Sequence, residues 1–198
     1  MKRRIPIGLL AIAVLACSRG SVPTVEARVE IACIPQNSQN LASRLSPYDS
    51  VRITIGERTA QLCYGRPSAR GRTMIGGTAV PLGTLWRTGA NEPTIIHLPF
   101  AASIACVDLS PGSYSIYTIP TDTDWTVIVN RSITQWGHED RYTEAVRAQE
   151  VGRGTVTSER LPEHVEQFTI RVEPSDDDAV DLVLEWETTR VRIPLVPS

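Results

Sequence analysis

Apolar and polar residues alternate along several short stretches of this chain. In the first of them, Val51, Ile53 and Ile55 alternate with Arg52 and Thr54. A period of two predicts a β-strand with one packed face and one wet face. The same pattern, or a short run of β-branched and aromatic residues, recurs at 59–64, 94–98, 102–109, 114–119, 125–130, 150–157, 167–173, 180–187 and 188–195.

Turn signals rich in glycine, proline, serine and aspartate separate these stretches, for example Gly56-Glu57-Arg58 and Ser110-Pro111-Gly112-Ser113. Only residues 140–149 suggest helix, of one or two turns, and they follow a predicted loop at 132–140. About nine short strands with little helix and long ordered loops predict an all-β fold, either a β-sandwich or a jelly-roll.

The N-terminus predicts export. Met-Lys-Arg-Arg precedes an apolar run at 5–16, which is typical of a secretory signal and too short for a stable membrane span. Val14-Leu15-Ala16-Cys17 resembles a bacterial lipobox, which implies cleavage before Cys17 and a lipid on its sulfur. Plain secretion is the alternative. Ser18, where an aspartate could stand, favours the outer membrane or its periplasmic face as the location.

These signals divide the chain into three parts. Residues 1–16 are the predicted signal peptide, and 17–45 are the lipidated cysteine with a flexible tether that contains Pro23, Pro35 and a polar run. Residues 46–198 are predicted to form a single β-sandwich domain.

Charge and motif content exclude several kinds of function. Without residues 1–16 the chain keeps 17 basic and 22 acidic residues, a net charge of −5, which argues against a nucleic-acid partner. Lys2 is the only lysine, so the mature chain has no Schiff-base or P-loop lysine. The three histidines form no metal-ligand motif, and we expect no metal and no cofactor.

Three cysteines remain besides Cys17, namely Cys33, Cys63 and Cys106. In an exported protein, we expect at most one intramolecular disulfide and one thiol left over. Their positions in the sequence leave all three pairings open.

The stretch from Tyr64 to Glu92 concentrates four arginines, six glycines, two prolines and one tryptophan. Its six glycines and two prolines prevent a long regular element, and its arginines carry rigid forks of donors that match carboxylates. The hypothesis is a ligand-binding cleft with Trp86 as its stacking wall, formed by Arg66, Arg70, Arg72, Trp86, Arg87, Asn91 and Glu92. The alternative is that the arginines only hold the loop in place, through bonds to carboxylates and carbonyls of the protein itself, with Glu92 neutralising Arg87.

Four longer sequence motifs resemble those of a known protein family. They are Y-G-R-P-S-A-R-G-R, W-R-T-G-A-N-E-P-T, P-G-S-Y-S-I-Y-T-I-P, and W-T-V-I-V-N with Trp136-Gly137 after it. Over residues 46–194 the chain resembles the domain of unknown function 2911 family of bacterial exported proteins and lipoproteins. The resemblance implies export and the domain limits, and it implies no activity and no catalytic residues.

We therefore expect a lipid-anchored envelope protein that contacts the membrane through acylated Cys17 and binds a polar or anionic ligand or an envelope partner. The first alternative is an envelope hydrolase acting on a sugar or an ester, although no catalytic motif is recognisable. Such an enzyme would need a carboxylate or histidine within hydrogen-bond reach of a nucleophile or water. The second alternative is a structural envelope protein without a ligand.

Overall fold

The computed structural model describes residues 32–36, 41–175 and 178–198, which belong to one compact unit, residues 31–198. Its strands are β1 Tyr48–Ile55, β2 Arg58–Gly65, β3 Thr94–Leu98, β4 Ala102–Ile104, β5 Val107–Leu109, β6 Gly112–Pro120, β7 Asp124–Asn130, β8 Glu150–Pro174 and β9 Val180–Pro197. They form one antiparallel sheet in the order β1-β2-β3-β6-β7-β8-β9-β4-β5. The predicted all-β fold is confirmed.

Helix is confined to short pieces in the described ranges. They are 3₁₀ turns at Leu41–Ser43 and Glu139–Arg141, and α1 at Glu144–Arg147, which confirms the prediction of one or two helical turns at 140–149. No helix there is long and apolar enough to cross a membrane. The predicted signal peptide and the lipidated Cys17 lie outside the described residues.

Three strand predictions are wrong in their limits. Residues 180–187 and 188–195, predicted as two strands, form the single strand β9, which continues through Glu187 at one of the register shifts of its pairing with β8. Residues 150–173 form the single strand β8, which pairs with β7 up to Thr157 and with β9 from Ser158 onward. Register shifts within the β8–β9 pairing show bulges, which bend a strand without ending it. Conversely, 102–109 is a hairpin, because Ala105 and Cys106 both have positive φ, as a tight two-residue turn requires.

The core fills the space enclosed by one face of this sheet. Along β6, Tyr114 and Ile116 belong to the main core, whereas Tyr117 belongs to a smaller cluster on the opposite face. This alternation follows from the two-residue period of a strand. At the centre of the core, Trp86 stacks on Trp186 with ring centroids 5.8 Å apart.

The opposite face of the sheet carries the smaller cluster, which contains Tyr117, Ile128, Tyr142 and Val146. The segment from residue 131 to 149 covers it. Within this segment the Thr143 side chain caps α1 by accepting a hydrogen bond from the Val146 amide. The polar side chains of the candidate site, described below, lie on this covered face of the sheet.

Part of the segment that composition assigns to the tether is docked on the domain. Cys33 forms a disulfide with Cys63 of β2, with Cα atoms 5.5 Å apart. Gln36 donates hydrogen bonds to the carbonyls of Ile133 and Gln135, at 2.7 and 3.0 Å. Of the pairings left open by the sequence, the structure forms this one.

The remaining described cysteine, Cys106, is exposed and free in the β4–β5 turn. One disulfide with a spare thiol agrees with the prediction.

Candidate functional site

Sheet geometry decides where Arg87 points. Trp86, which precedes β3 in the chain, forms an isolated antiparallel bridge with Thr118 of β6. Two N–H···O bonds of 2.7 and 2.8 Å join the two residues. Directly paired residues share a face of a sheet, so Trp86 and Thr118 both face the core. Arg87, the next residue, faces the other side, as does Tyr117 beside Thr118.

The turn after Arg87 is held in a strained conformation. Thr88 has a φ of 56°, which is an outlier for a β-branched residue. Its Oγ1 lies 3.1 Å from the Thr118 Oγ1, and its carbonyl accepts a 2.6 Å hydrogen bond from the Thr94 hydroxyl. Such strain costs about 1–3 kcal/mol and persists only where the surroundings enforce it. The turn therefore fixes the backbone from which Arg87 projects.

Gly137 closes the other side of Arg87. Its amide donates to the Asn91 carbonyl at 3.0 Å. A Cβ on Gly137 would lie 2.4 Å from the Arg87 Cδ and 2.5 Å from the Asn91 carbonyl oxygen. Only glycine lets the 131–149 segment approach the Arg87 side chain this closely.

Four side chains meet at this point, and we call Arg87, Tyr117, Gln135 and Glu139 the Arg87 cluster. The Arg87 side chain is only 18% exposed, and its nearest carboxylate oxygen, on Glu139, is 3.5 Å from Nη1. The Arg87 Nε is buried and has no hydrogen-bond partner among the described residues. Buried polar groups are nearly always hydrogen-bonded, so this guanidinium has donor capacity to spare.

Burial controls the electrostatics of the cluster. It lowers the pKa of Arg87, and the nearby Glu139 opposes that change. It raises the pKa of Tyr117, whereas the hydrogen bond from Gln135 and the charge of Arg87 act in the other direction. An arginine stays protonated in proteins, so the cluster presents a poorly solvated cation beside a neutral phenol.

A hydrogen-bonded network holds the neutral members in place. Gln135 donates to the Tyr117 hydroxyl and to the Ser132 carbonyl, both at 3.0 Å. The Ser132 amide donates to the Asn130 carboxamide oxygen at 2.7 Å, and Asn130 donates to the Tyr142 hydroxyl at 3.2 Å. A satisfied buried network of this kind rigidifies its members.

The other arginines of the predicted site use their side chains for hydrogen bonds within the protein, which hold the loop in place. Arg66 bonds to Asp49 at 2.9 Å, to the Thr169 hydroxyl at 3.1 Å and to the Phe168 carbonyl at 3.3 Å. Arg70 donates to the Leu45 carbonyl at 2.8 Å.

Arg72 donates to the carbonyls of Ala69 and Ser68, at 3.0 and 3.2 Å. None of the contacts of these three arginines involves the Arg87 cluster. For these three arginines, the structure therefore agrees with the alternative in which the side chains only hold the loop in place.

Two further predictions for this stretch are wrong. Trp86 is 2% exposed in the core, so it offers no stacking wall to a ligand. Glu92 is fully buried and forms two hydrogen bonds with Arg44, at 2.9 and 3.0 Å, instead of neutralising Arg87. Trp86 is buried because its pairing with Thr118 turns it to the core face of the sheet. The partner of Glu92 could not be predicted from spacing, because Arg44 lies 48 residues earlier in the chain. Among the described residues, the side chain of Asn91 makes only a long contact, 3.5 Å from its Nδ2 to the Ser46 carbonyl.

Three partners of Arg87 were not predicted from the sequence, namely Tyr117, Gln135 and Glu139. A signal for Tyr117 was present, because the alternation of β6 puts Ser115 and Tyr117 on the face opposite Ile116. Gln135 precedes the Trp136-Gly137 string but lies in an irregular loop, whose position no periodicity predicts.

One other contact has catalytic geometry. The His97 Nδ1 lies 2.7 Å from the Ser113 Oγ, across the β3–β6 pair. Burial lowers the pKa of His97, which favours the neutral imidazole that a general base requires. The hydrogen bonds found in the described ranges join no carboxylate to this pair. In the same ranges, no group of three or more histidine, cysteine or acidic side chains could hold a metal ion.

Comparison with known proteins identifies the family. A family model for proteins of unknown function, DUF2911, matches residues 46–195 and therefore includes the strained turn and the Arg87 cluster. No curated protein and no solved structure matches the chain. Because the matched region spans well over half of the sequence, the chain belongs to the DUF2911 family of proteins of unknown function.

Proposed function

We propose that this chain is an exported, lipid-anchored protein of the cell envelope that binds a small carboxylate ligand at the Arg87 cluster. The observation that carries the proposal is the guanidinium of Arg87, which is largely buried and fixed in position yet makes no hydrogen bond with the described residues. Planar guanidinium forks match carboxylates in a bidentate way. A ligand carboxylate would satisfy donors that the protein leaves unused.

The charge balance of the cluster favours a singly charged anion. Arg87 supplies one positive charge, and Glu139 already lies 3.5 Å away with its side chain 39% exposed. A monoanionic ligand can take the place of Glu139 at the guanidinium without leaving excess negative charge in a poorly solvated site. A dianion such as phosphate would leave such excess charge, which is costly where water is scarce. The Tyr117 hydroxyl and the Gln135 amide can add neutral hydrogen bonds to the rest of the ligand.

Export is supported by the sequence and by the disulfide. The basic start, the apolar run and Cys17 form the expected signal, and a Cys33–Cys63 disulfide fits an oxidising compartment. Mass spectrometry of the protein from cell membranes tests this part. We expect an acylated N-terminus at Cys17, whereas an unprocessed Met1 in the cytoplasm would contradict it.

A thermal-shift comparison tests the ligand. The probes are acetate and lactate, and the neutral isosteres acetamide and lactamide control for everything except charge. At about 100 mM, a probe with a Kd of about 10 mM would stabilise the protein by about 1.4 kcal/mol.

We expect this stabilisation with the carboxylates in the wild type and in Arg66→Gln, and its loss in Arg87→Gln. Arg66→Gln is the matched control because it removes an arginine whose three side-chain nitrogens each already donate a hydrogen bond within the protein. Equal effects of acid and amide, or an unchanged response of Arg87→Gln, would refute the proposed site.

A hydrolase is the second candidate, favoured by the 2.7 Å contact between Ser113 and His97. Hydrolysis of p-nitrophenyl acetate that is abolished in both Ser113→Ala and His97→Gln would support it. A rate in either variant equal to that of the wild type would exclude this pair as the catalytic centre.

A further inference from the structure

A groove separate from the Arg87 cluster lies at one end of the β8–β9 ladder. Four segments bound it: the loop at 75–82, the β6–β7 turn at 121–122, the β8 residues 158–160 and the β9 residues 188–189. Its volume is about 390 Å³, within the range of about 300–1,000 Å³ that is usual for sites of small ligands. We call it the β8–β9 groove.

The walls of the groove are fixed by hydrogen bonds. Glu187, in a left-handed conformation with φ 52°, accepts from the amides of Met74 and Ile75 at 3.0 and 2.8 Å. The Ser158 hydroxyl donates to the carbonyls of Asp122 and Thr123, each at 3.1 Å. These contacts join the loop to β9 and the turn to β8, so the shape of the groove exists before any ligand arrives.

Four polar side chains in the groove have no such structural use. Asp122, Arg160, Thr188 and Thr189 line the groove, and none of these side chains makes a hydrogen bond or ion pair with the described part of the chain. They supply a carboxylate that only accepts, a guanidinium that only donates, and two hydroxyls that do both.

Apolar surface completes the lining. Leu82 lies on the rim and is 41% exposed, and Ile75 lies beside it. A sugar ring matches this combination, because each hydroxyl both donates and accepts while the C–H groups of the ring present an apolar face. A hydrocarbon ligand would leave the four polar groups unpaired, and a simple anion would use only Arg160.

We infer that the β8–β9 groove binds a neutral saccharide of one or two units, through Asp122 and Arg160 on the hydroxyls and Leu82 against the ring. This site is independent of the carboxylate site at Arg87. It would give an envelope protein a second contact, with a carbohydrate.

The test is a titration of the ¹⁵N-labelled full-length protein, followed by amide chemical shifts. The probes are D-glucose, N-acetyl-D-glucosamine and maltose. We expect at least one of them to move the amides of residues 121–122, 158–160 and 188–189 in a saturable way, with the amides of Tyr117 and Gln135 unmoved.

Two variants make the outcome specific. Asp122→Ala should weaken the binding at least about tenfold, the loss expected when hydrogen bonds to a charged group are removed. Thr155→Val changes an exposed hydroxyl of β8 outside the groove and should leave the Kd unchanged. If none of the three sugars moves the groove amides, or if Asp122→Ala binds as well as Thr155→Val, the inference is overturned.

Discussion

The buried ion pair between Arg44 and Glu92 gives the sharpest test of the packing around Glu92. Their side chains are 10% and 1% exposed, and two hydrogen bonds of 2.9 and 3.0 Å join them. Arg44→Met keeps much of the aliphatic stem and removes the charge. It takes from Glu92 the partner that the bidentate geometry provides.

The expected magnitude follows from the burial. Removing one member of a buried pair costs about 3–5 kcal/mol, because the remaining charge is left in a poorly solvated place. For a chain of this size, 1 kcal/mol corresponds to about 2–4 °C in Tm, so Arg44→Met should lower Tm by about 6–20 °C. Interaction energies between contacting residues reach about 3 kcal/mol, and a close bidentate pair should fall near that limit.

A double-mutant cycle measured by urea unfolding isolates this pair from other contacts of either residue. The cycle combines Arg44→Met with Glu92→Gln, and a second cycle combines Arg87→Met with Glu92→Gln as the matched control. We expect a coupling of about 2–3 kcal/mol in the first cycle and less than half of that in the second. A larger coupling between Arg87 and Glu92 would refute the pairing and restore the closure of Arg87 by Glu92 that the sequence alone suggested.

Three further predictions concern the disulfide, the alkaline limit and the close approach at Gly137. Replacing Cys33 and Cys63 together by alanine opens a loop set by their separation of 30 residues and should lower the free energy of unfolding by about 3.5 kcal/mol; an unchanged guanidinium midpoint would contradict this. Burial and the charge of Glu92 raise the pKa of Tyr48 from 10.0 to about 12. The resulting stability is complete below pH 10 and is lost as the pH rises from 10 toward 12, so Tyr48→Phe should flatten the alkaline fall in urea-unfolding free energy, and an equal fall in both proteins would argue against it. Gly137→Ala places a methyl group 2.4 Å from the Arg87 Cδ and should cost about 1–3 kcal/mol by overpacking, whereas a wild-type Tm would show that the segment can move away.

The regular elements were predictable from sequence because the period of two is a local property. β3 begins and ends at the predicted residues, and β7 differs by one residue. The errors in the strands have a physical cause. Register shifts carry β8 through residues 158–166, where the alternation is weak, and the positive φ of Ala105 and Cys106 makes a turn without glycine.

The site was predictable only in part. The string W-R-T-G-A-N-E drew attention to Arg87, and this residue is the arginine of the predicted set with a buried nitrogen that has no partner among the described residues. Its surroundings depend on contacts between distant parts of the chain. Gln135 reaches Tyr117 only after the 131–149 segment folds over the sheet, and Arg44 reaches Glu92 from a stretch whose composition resembles a tether. Neither propensity nor spacing contains such information.

Binding of a carboxylate at Arg87 is best followed through the NMR resonance of the Arg87 Nε–H group during titration with acetate. This nitrogen is buried and has no partner among the described residues, whereas the Arg66 Nε donates to the Phe168 carbonyl and serves as the internal reference. We expect the Arg87 signal to move and saturate with acetate and to stay unmoved with acetamide, and we expect no response of the Arg66 signal. An Arg87 signal that does not move with acetate, or that moves equally with acetamide, would show that Arg87 is not a carboxylate site.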